Sequence, residues 1–156
     1  MEPLSDVWAD MKGTLVLVGS LLLVSAVIVC VWIATRSTGP AGDVVATTIN
    51  FRVEMPKTLR AGRHTLAYTN AGSVPHELLL FRTDLPANAL PLRSDGNVNE
   101  ESPLLHNVVD SGNATAPGGS EAVLTKESLA PGHYVAVCNL PAHYHLGMWL
   151  NVTVVL

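Results

Sequence analysis

Thiols and charges are both scarce in this chain. Its 156 residues include two cysteines, Cys30 and Cys138, and Cys30 lies inside a long apolar run. The remainder carries one thiol, which excludes a small fold stapled by internal disulfides. In an oxidising compartment a lone thiol survives by being buried or ligated. Charged residues make up only 14% of the chain. From residue 35 onward eight Lys/Arg oppose ten Asp/Glu, too weak and mixed a balance for a nucleic-acid-binding surface. Internal repeats are absent. No nucleophile stands in a spacing that supplies it with a general base, so no catalytic function is read.

What the chain has in plenty is a hydrophobic run. Gly13 to Ala34 contains no charged residue and is dominated by Leu, Val and Ile. Roughly 20 apolar residues suffice to span a bilayer as a helix. Trp8 and Trp32 bracket the run, about 36 Å apart at helical rise, as interfacial anchors would be. A cleaved signal peptide is the competing reading. It has a shorter apolar core and a small-residue cleavage site, and none follows here. Val29 stands before Cys30, where a lipoprotein signal needs a small residue. The expected organisation is a cytoplasmic tail (1–12), a transmembrane helix (13–34), a Ser/Thr/Gly/Pro linker (35–43) and an exported domain (44–156). Lys12 and Arg36 flank the run on opposite sides and hardly decide its orientation. The short tail and the mass beyond the helix place the domain on the extracellular or periplasmic side of a single-pass plasma-membrane protein.

After the linker the pattern changes to period two. In Thr48–Met55, Ile49, Phe51, Val53 and Met55 alternate with polar residues, which predicts one half-buried strand. Further strands are expected at Arg63–Asn70, His76–Arg82, Ser120–Lys126, His133–Cys138 and Trp149–Leu156. Gly, Pro, Asn and Ser cluster between them, as in Asn70-Ala-Gly-Ser73 and Ala130-Pro-Gly132. Short strands separated by such turns predict an all-β sandwich. Thr83–Gly112 breaks the pattern with three prolines and scattered acids, and reads as an excursion holding a short helix or an edge strand.

The densest chemistry lies in Cys138-Asn-Leu-Pro-Ala-His143-Tyr-His145-Leu-Gly-Met148. A thiolate, an imidazole and a thioether follow an apolar strand-like run within one short loop. Soft sulfur suits Cu(I), imidazole suits both copper states, and a weak thioether tunes the potential. His76, opening another strand, is the candidate fourth ligand. Taken singly, Cys138 would be a small buried residue, Met148 a gap filler and His76 a satisfied surface histidine. Their coincidence favours a metal. Structural zinc sites use more thiolates and rarely a methionine. His145 offers a second register, Cys-x6-His. His143 is preferred, because Pro141-Ala142 form a turn that can present it. His145 is otherwise an exposed loop residue, or a docking or pH-sensitive group.

On these residues the domain resembles a cupredoxin, the fold family of plastocyanin, azurin and auracyanin. The resemblance covers about residues 44–156. The family's Cys-x4-His loop with a following Met falls on Cys138, His143 and Met148, and its isolated first His falls on His76. It implies a Greek-key β-sandwich of seven to eight strands, and one type 1 copper cycling between Cu(I) and Cu(II). It further implies single-electron exchange with redox partners such as cytochromes or a membrane oxidase or photosynthetic complex. The edge of His143, within an apolar patch of Leu140, Pro141, Ala142 and Leu146, would be the electron port. One departure concerns the residue after the first His. The family usually has Asn there, holding loops together and supporting the thiolate, and this chain has Glu77.

The resemblance also excludes enzymes. Multicopper oxidases and copper nitrite reductases place His beside this Cys, whereas its neighbours here are Val137 and Asn139. A binuclear centre needs a second Cys in the loop. Copper storage, delivery or tolerance remains an alternative use of the same ligands. So do a subunit role in a larger redox complex and a metal-free interaction module. Asp95, Glu100 and Glu101 are read as a solvated acidic loop or a docking patch for a basic cytochrome. Asn113-Ala-Thr115 and Asn151-Val-Thr153 match glycosylation sequons, a frequent chance pattern.

Overall fold

The structure is a computed structural model that describes residues 41–156. The tail (1–12), the expected transmembrane helix (13–34) and most of the linker lie outside the described residues. Among the described residues no helix is long and apolar enough to cross a membrane.

Among the described residues nine strands form: β1 (Val44–Ile49), β2 (Arg52–Glu54), β3 (Thr58–Arg60), β4 (Thr65–Asn70), β5 (Leu79–Arg82), β6 (His106–Asp110), β7 (Ser120–Leu124), β8 (Gly132–Val137) and β9 (Trp149–Val155). They make two sheets, ordered β2-β1-β4-β7 and β3-β9-β8-β5-β6. The β1/β4 and β3/β9 pairs are parallel and the rest antiparallel. Parallel neighbours cannot be joined by a hairpin, so the chain must cross between the sheets. The expected all-β sandwich is present, with nine strands instead of seven or eight.

The largest correction concerns Thr48–Met55, which is not one strand. The chain reverses at Asn50-Phe51, and Ile49 pairs with Arg52 across this two-residue turn. Both turn residues have positive φ, 46° and 61°. That is the signature of a type I′ hairpin turn, whose twist matches that of the flanking strands. The buried face of β1 is therefore Val44, Ala46 and Thr48, one residue out of phase with the expected set. β4 obeys simple alternation, with Leu66, Tyr68 and Asn70 inward.

The core between the sheets includes Leu66, Tyr68, Leu80, Tyr134, Ala136 and Val152, and it extends to Cys138 and Met148. A second cluster lies on the outer face of the larger sheet, where Ala87, Leu90, Val98 and Leu105 of the excursion cover Leu79, Phe81, Val135 and Val137. This cover explains why β5 and β8 are apolar on both faces rather than alternating. The excursion supplies β6 as an edge strand and no helix. Tyr144 of the ligand loop locks it down: its hydroxyl donates to the Ala87 carbonyl (2.9 Å) and accepts from Leu90 N–H (3.0 Å).

At the start of the domain, His64 Nδ1 lies 2.5 Å from the Asp43 carboxylate and Nε2 lies 2.7 Å from the Arg60 carbonyl. Acceptors on both nitrogens favour the imidazolium. Burial alone would lower the His64 pKa, but the Arg60 carbonyl and the Asp43 carboxylate together raise it above its ordinary value. His64 in turn, aided by Thr65 N–H, holds Asp43 below the usual carboxylate range. The His64 contribution is complete below its unfolded pKa of about 6.5 and is lost as pH rises through the folded value. The Asp43 contribution is present above its unfolded pKa of about 3.9 and is lost as pH falls through the folded value. The thermal midpoint of the wild type should therefore fall relative to His64→Gln as pH rises from about 6 to about 8. Parallel profiles for the two proteins would contradict this.

Candidate metal centre

Three loops converge at one end of the sandwich. The first runs from Asn70 to His76. Asn70 is fully buried at the end of β4; its Nδ2 donates to the carbonyls of Val74 (2.9 Å) and Thr115 (2.8 Å), and its Oδ1 accepts from Gly72 N–H (2.9 Å). His76 then pairs with Thr115 through two backbone hydrogen bonds, His76 N–H to Thr115 O at 3.1 Å and the reverse at 2.7 Å. The imidazole is fully buried, and its Nε2 has no hydrogen-bonding partner. Gly72 makes room for the ring, because a Cβ there would stand 2.9 Å from Nε2.

The second loop follows β8. Cys138 is fully buried, its N–H donates to the Met148 carbonyl (3.1 Å), and Met148 N–H donates to the His143 carbonyl (3.2 Å). The loop thus closes on itself and returns a fully buried Met148 beside the cysteine. Within it, His143 N–H donates to the Leu140 carbonyl at 3.0 Å, with Ala142 at φ 69°. A proline followed by a left-handed residue is the type II turn pattern, and it presents His143 as expected. The third loop is the Asn50-Phe51 turn, whose Phe ring packs edge-to-face on both imidazoles.

These elements bring His76 Nδ1 to 3.2 Å from His143 Nδ1, and Cys138 Sγ to 3.3 Å from His143 Nδ1. All three atoms lie within 4.8 Å of one another. No carboxylate is part of the cluster. Burial pushes the pKa values of His143 and His76 down, and the neighbouring His143 charge also lowers that of His76. Burial pushes the Cys138 thiol up, against the hydrogen bonds from Glu77 and Leu140 N–H. Neutral imidazoles keep their lone pairs free for a metal, and a metal cation reverses the penalty on the thiolate. Two imidazoles and one thiolate, with a buried thioether close in the chain, suit copper chemically. His145 does not join the cluster. It is exposed, with its Nε2 against the Gly96 turn.

Glu77 does what its position needs by other means. Its backbone N–H reaches Cys138 Sγ at 3.5 Å, and its Oε1 accepts from Asn139 N–H at 2.8 Å, tying the two ligand loops together. Burial pushes the Glu77 carboxyl up to about 6; Asn139 N–H opposes the rise, and the Glu100 and Asp110 charges add to it. Asn139 ties the excursion to the same loop: its Nδ2 donates to Val98 O and Glu100 Oε1, and its Oδ1 accepts from Val98 N–H. Glu100 therefore has a structural duty, and Asp95 likewise caps its own turn at Asn97 N–H. Sequence reasoning passed over Asn70, Thr115 and Asn139 and misread Phe51. Asn50, a turn former ahead of a bulky residue, was the available signal for the last.

The comparisons with known proteins agree with this geometry. The sulfocyanin (SoxE) domain model matches residues 25–155. The chain belongs to the sulfocyanin family. Sulfocyanins are cupredoxins, so the resemblance drawn from the ligand loop holds. The cofactor is accordingly one type 1 copper, with His76, Cys138, His143 and Met148 as its candidate site. The fold is similar to that of dithionite-reduced auracyanin from the photosynthetic bacterium Roseiflexus castenholzii, at 23% identity and a TM-score of 0.54. That match covers 72% of this chain and 95% of the auracyanin chain. A structure of rusticyanin variants is similar at 20% identity and a TM-score of 0.50, covering 72% of this chain and 75% of that one. A search of curated proteins returns no relative. Membership in this sulfocyanin family is consistent with electron transfer rather than catalysis.

Proposed function

We propose that this sulfocyanin domain carries single electrons between redox proteins on the exported face of a membrane, tethered by the apolar segment at 13–34. The observation that carries the reading is the convergence of the His76 and His143 Nδ1 atoms with Cys138 Sγ in a buried, cross-braced site. Copper held there would supply a one-electron couple. His76, Cys138 and His143 would hold it as the strong donors, with the Met148 thioether as a weaker fourth. The chain's own part is to keep that ligand set fixed. Asn70 and Thr115 hold His76, and the backbone bonds among Cys138, His143 and Met148 hold the loop. Glu77 joins the two. Ligands held this way have little freedom to rearrange when the charge at the site changes, which favours fast exchange. His143 alone of the three clustered ligands is partly exposed; Pro141, Ala142 and Leu146 beside it are exposed and Leu140 is half-buried. An apolar rim around one imidazole edge suits brief contact with a partner.

Cyclic voltammetry of the copper-loaded full chain in lipid vesicles tests the proposal. A reversible one-electron wave, with one copper per chain retained in both states, is expected. Rapid loss of Cu(I) to a chelator without a reversible wave would overturn it in favour of copper handling.

A further inference from the structure

The Asn50-Phe51 turn contains a conflict between backbone and side chain. A two-residue type I′ turn favours Asn followed by Gly, because both residues take positive φ. This chain has the Asn at φ 46° but a phenylalanine at φ 61°. A bulky residue in the left-handed region is a genuine outlier, and such outliers persist only where their surroundings hold them. The surroundings of the Phe51 ring are two candidate copper ligands. It meets His143 at a centroid distance of 4.9 Å and 86° between planes, and His76 at 5.9 Å and 83°. The two imidazoles themselves lie 5.0 Å apart at 65°. Each pair of rings is in edge-to-face range, so the three form a closed aromatic cluster. Phe51 is half-buried and packs against the rim of the main core.

We infer that Phe51 is a positioning residue for the copper site. Its ring wedges the His76 and His143 imidazoles into their converging arrangement and covers that side of the pair against water. The strained turn sets the ring there. β2 returns antiparallel to β1, and the two-residue reversal between Ile49 and Arg52 carries residue 51 onto the His76 and His143 rings. The His76 Nε2 has no hydrogen-bonding partner, and the ring's one polar contact is Nδ1 to His143 Nδ1 at 3.2 Å, inside the ligand pair itself. Its orientation therefore depends on packing, which Phe51 supplies together with the space left at Gly72. The inference rests on the copper reading above.

The test compares the copper-loaded full-length wild type with Phe51→Gly, Phe51→Leu and Phe51→Tyr. Phe51→Gly restores the residue the turn prefers and so removes the ring without breaking the hairpin. Phe51→Leu keeps apolar volume without a flat ring, and it preserves the test if the glycine variant fails to fold. Removal of partners that orient ligands weakens metal binding by about 10- to 100-fold. Release of Cu(I) to bathocuproine should accelerate by that order in the glycine and leucine variants and stay near wild type in Phe51→Tyr. The Cu(II) hyperfine splitting in the electron paramagnetic resonance spectrum should change in the same two variants. In the metal-free protein their imidazole 15N signals should broaden. Wild-type release, splitting and line widths in folded Phe51→Gly or Phe51→Leu would overturn the inference while leaving the copper reading intact. A wild type that binds no copper would instead overturn the copper reading itself.

Discussion

Asn70→Ala is expected to destabilise the domain by roughly 2–4 kcal/mol and to weaken copper binding with it. This one fully buried side chain makes three hydrogen bonds. Its amide donates to the Val74 and Thr115 carbonyls, and its carbonyl accepts from Gly72 N–H. Alanine removes all three and leaves backbone groups of two loops without partners. An orphaned buried group forfeits about 1–3 kcal/mol of solvation. The damage is also local to the site, because Val74 and Thr115 flank His76 along the chain and across the bridge. Asn70→Asp should fare no better, since it would aim a carboxylate at two carbonyl oxygens. Urea unfolding gives the stability change, and copper titration against a chelator gives the affinity. A shift below about 0.5 kcal/mol, typical of a surface substitution, would contradict this role for Asn70.

Much of this molecule was legible in the chain, and the reasons differ from residue to residue. β4, β8 and β9 follow from alternation or continuous apolar runs bounded by Gly, Pro and Asn. The ligand loop follows from chemistry, because Cys138, His143 and Met148 need only a tight turn to meet, and Pro141-Ala142 announces one. The register question at His145 is also local: the turn directs His143 inward and leaves His145 outside. Other features depend on partners far away in sequence. The Thr48–Met55 alternation was real as a pattern, but a reversal at Asn50-Phe51 shifts the burial of everything before it. Val44, Ala46 and Thr48 face inward as a result, and Phe51 leaves the sheet for the histidines. Asn70 looks like an ordinary turn residue, and only its meeting with Thr115, 45 residues on, gives it weight. The excursion gave no periodic signal because its apolar residues face a sheet surface instead of forming an element of their own. Glu77 stood out as a departure from the family, yet the bond from Asn139 N–H makes it a substitute link between the loops.

Cys138→Ser should have the largest effect of any single change at the site. The thiolate is the one soft anionic ligand in the cluster, and serine offers a hydroxyl that remains protonated near neutrality. Cys138 is fully buried and is the one cysteine among the described residues, so no other thiol there can replace it. Everything braced around the loop, from the Cys138–Met148 backbone bond to the Glu77 N–H at the sulfur, serves to place that one atom. The visible absorption spectrum of the copper-loaded protein, wild type beside Cys138→Ser, reads this directly. The wild type is expected to show an intense thiolate-to-copper band at one copper per chain, and the variant to lose it completely. A colourless wild type at full copper occupancy, or a band that survives in Cys138→Ser, would contradict the account.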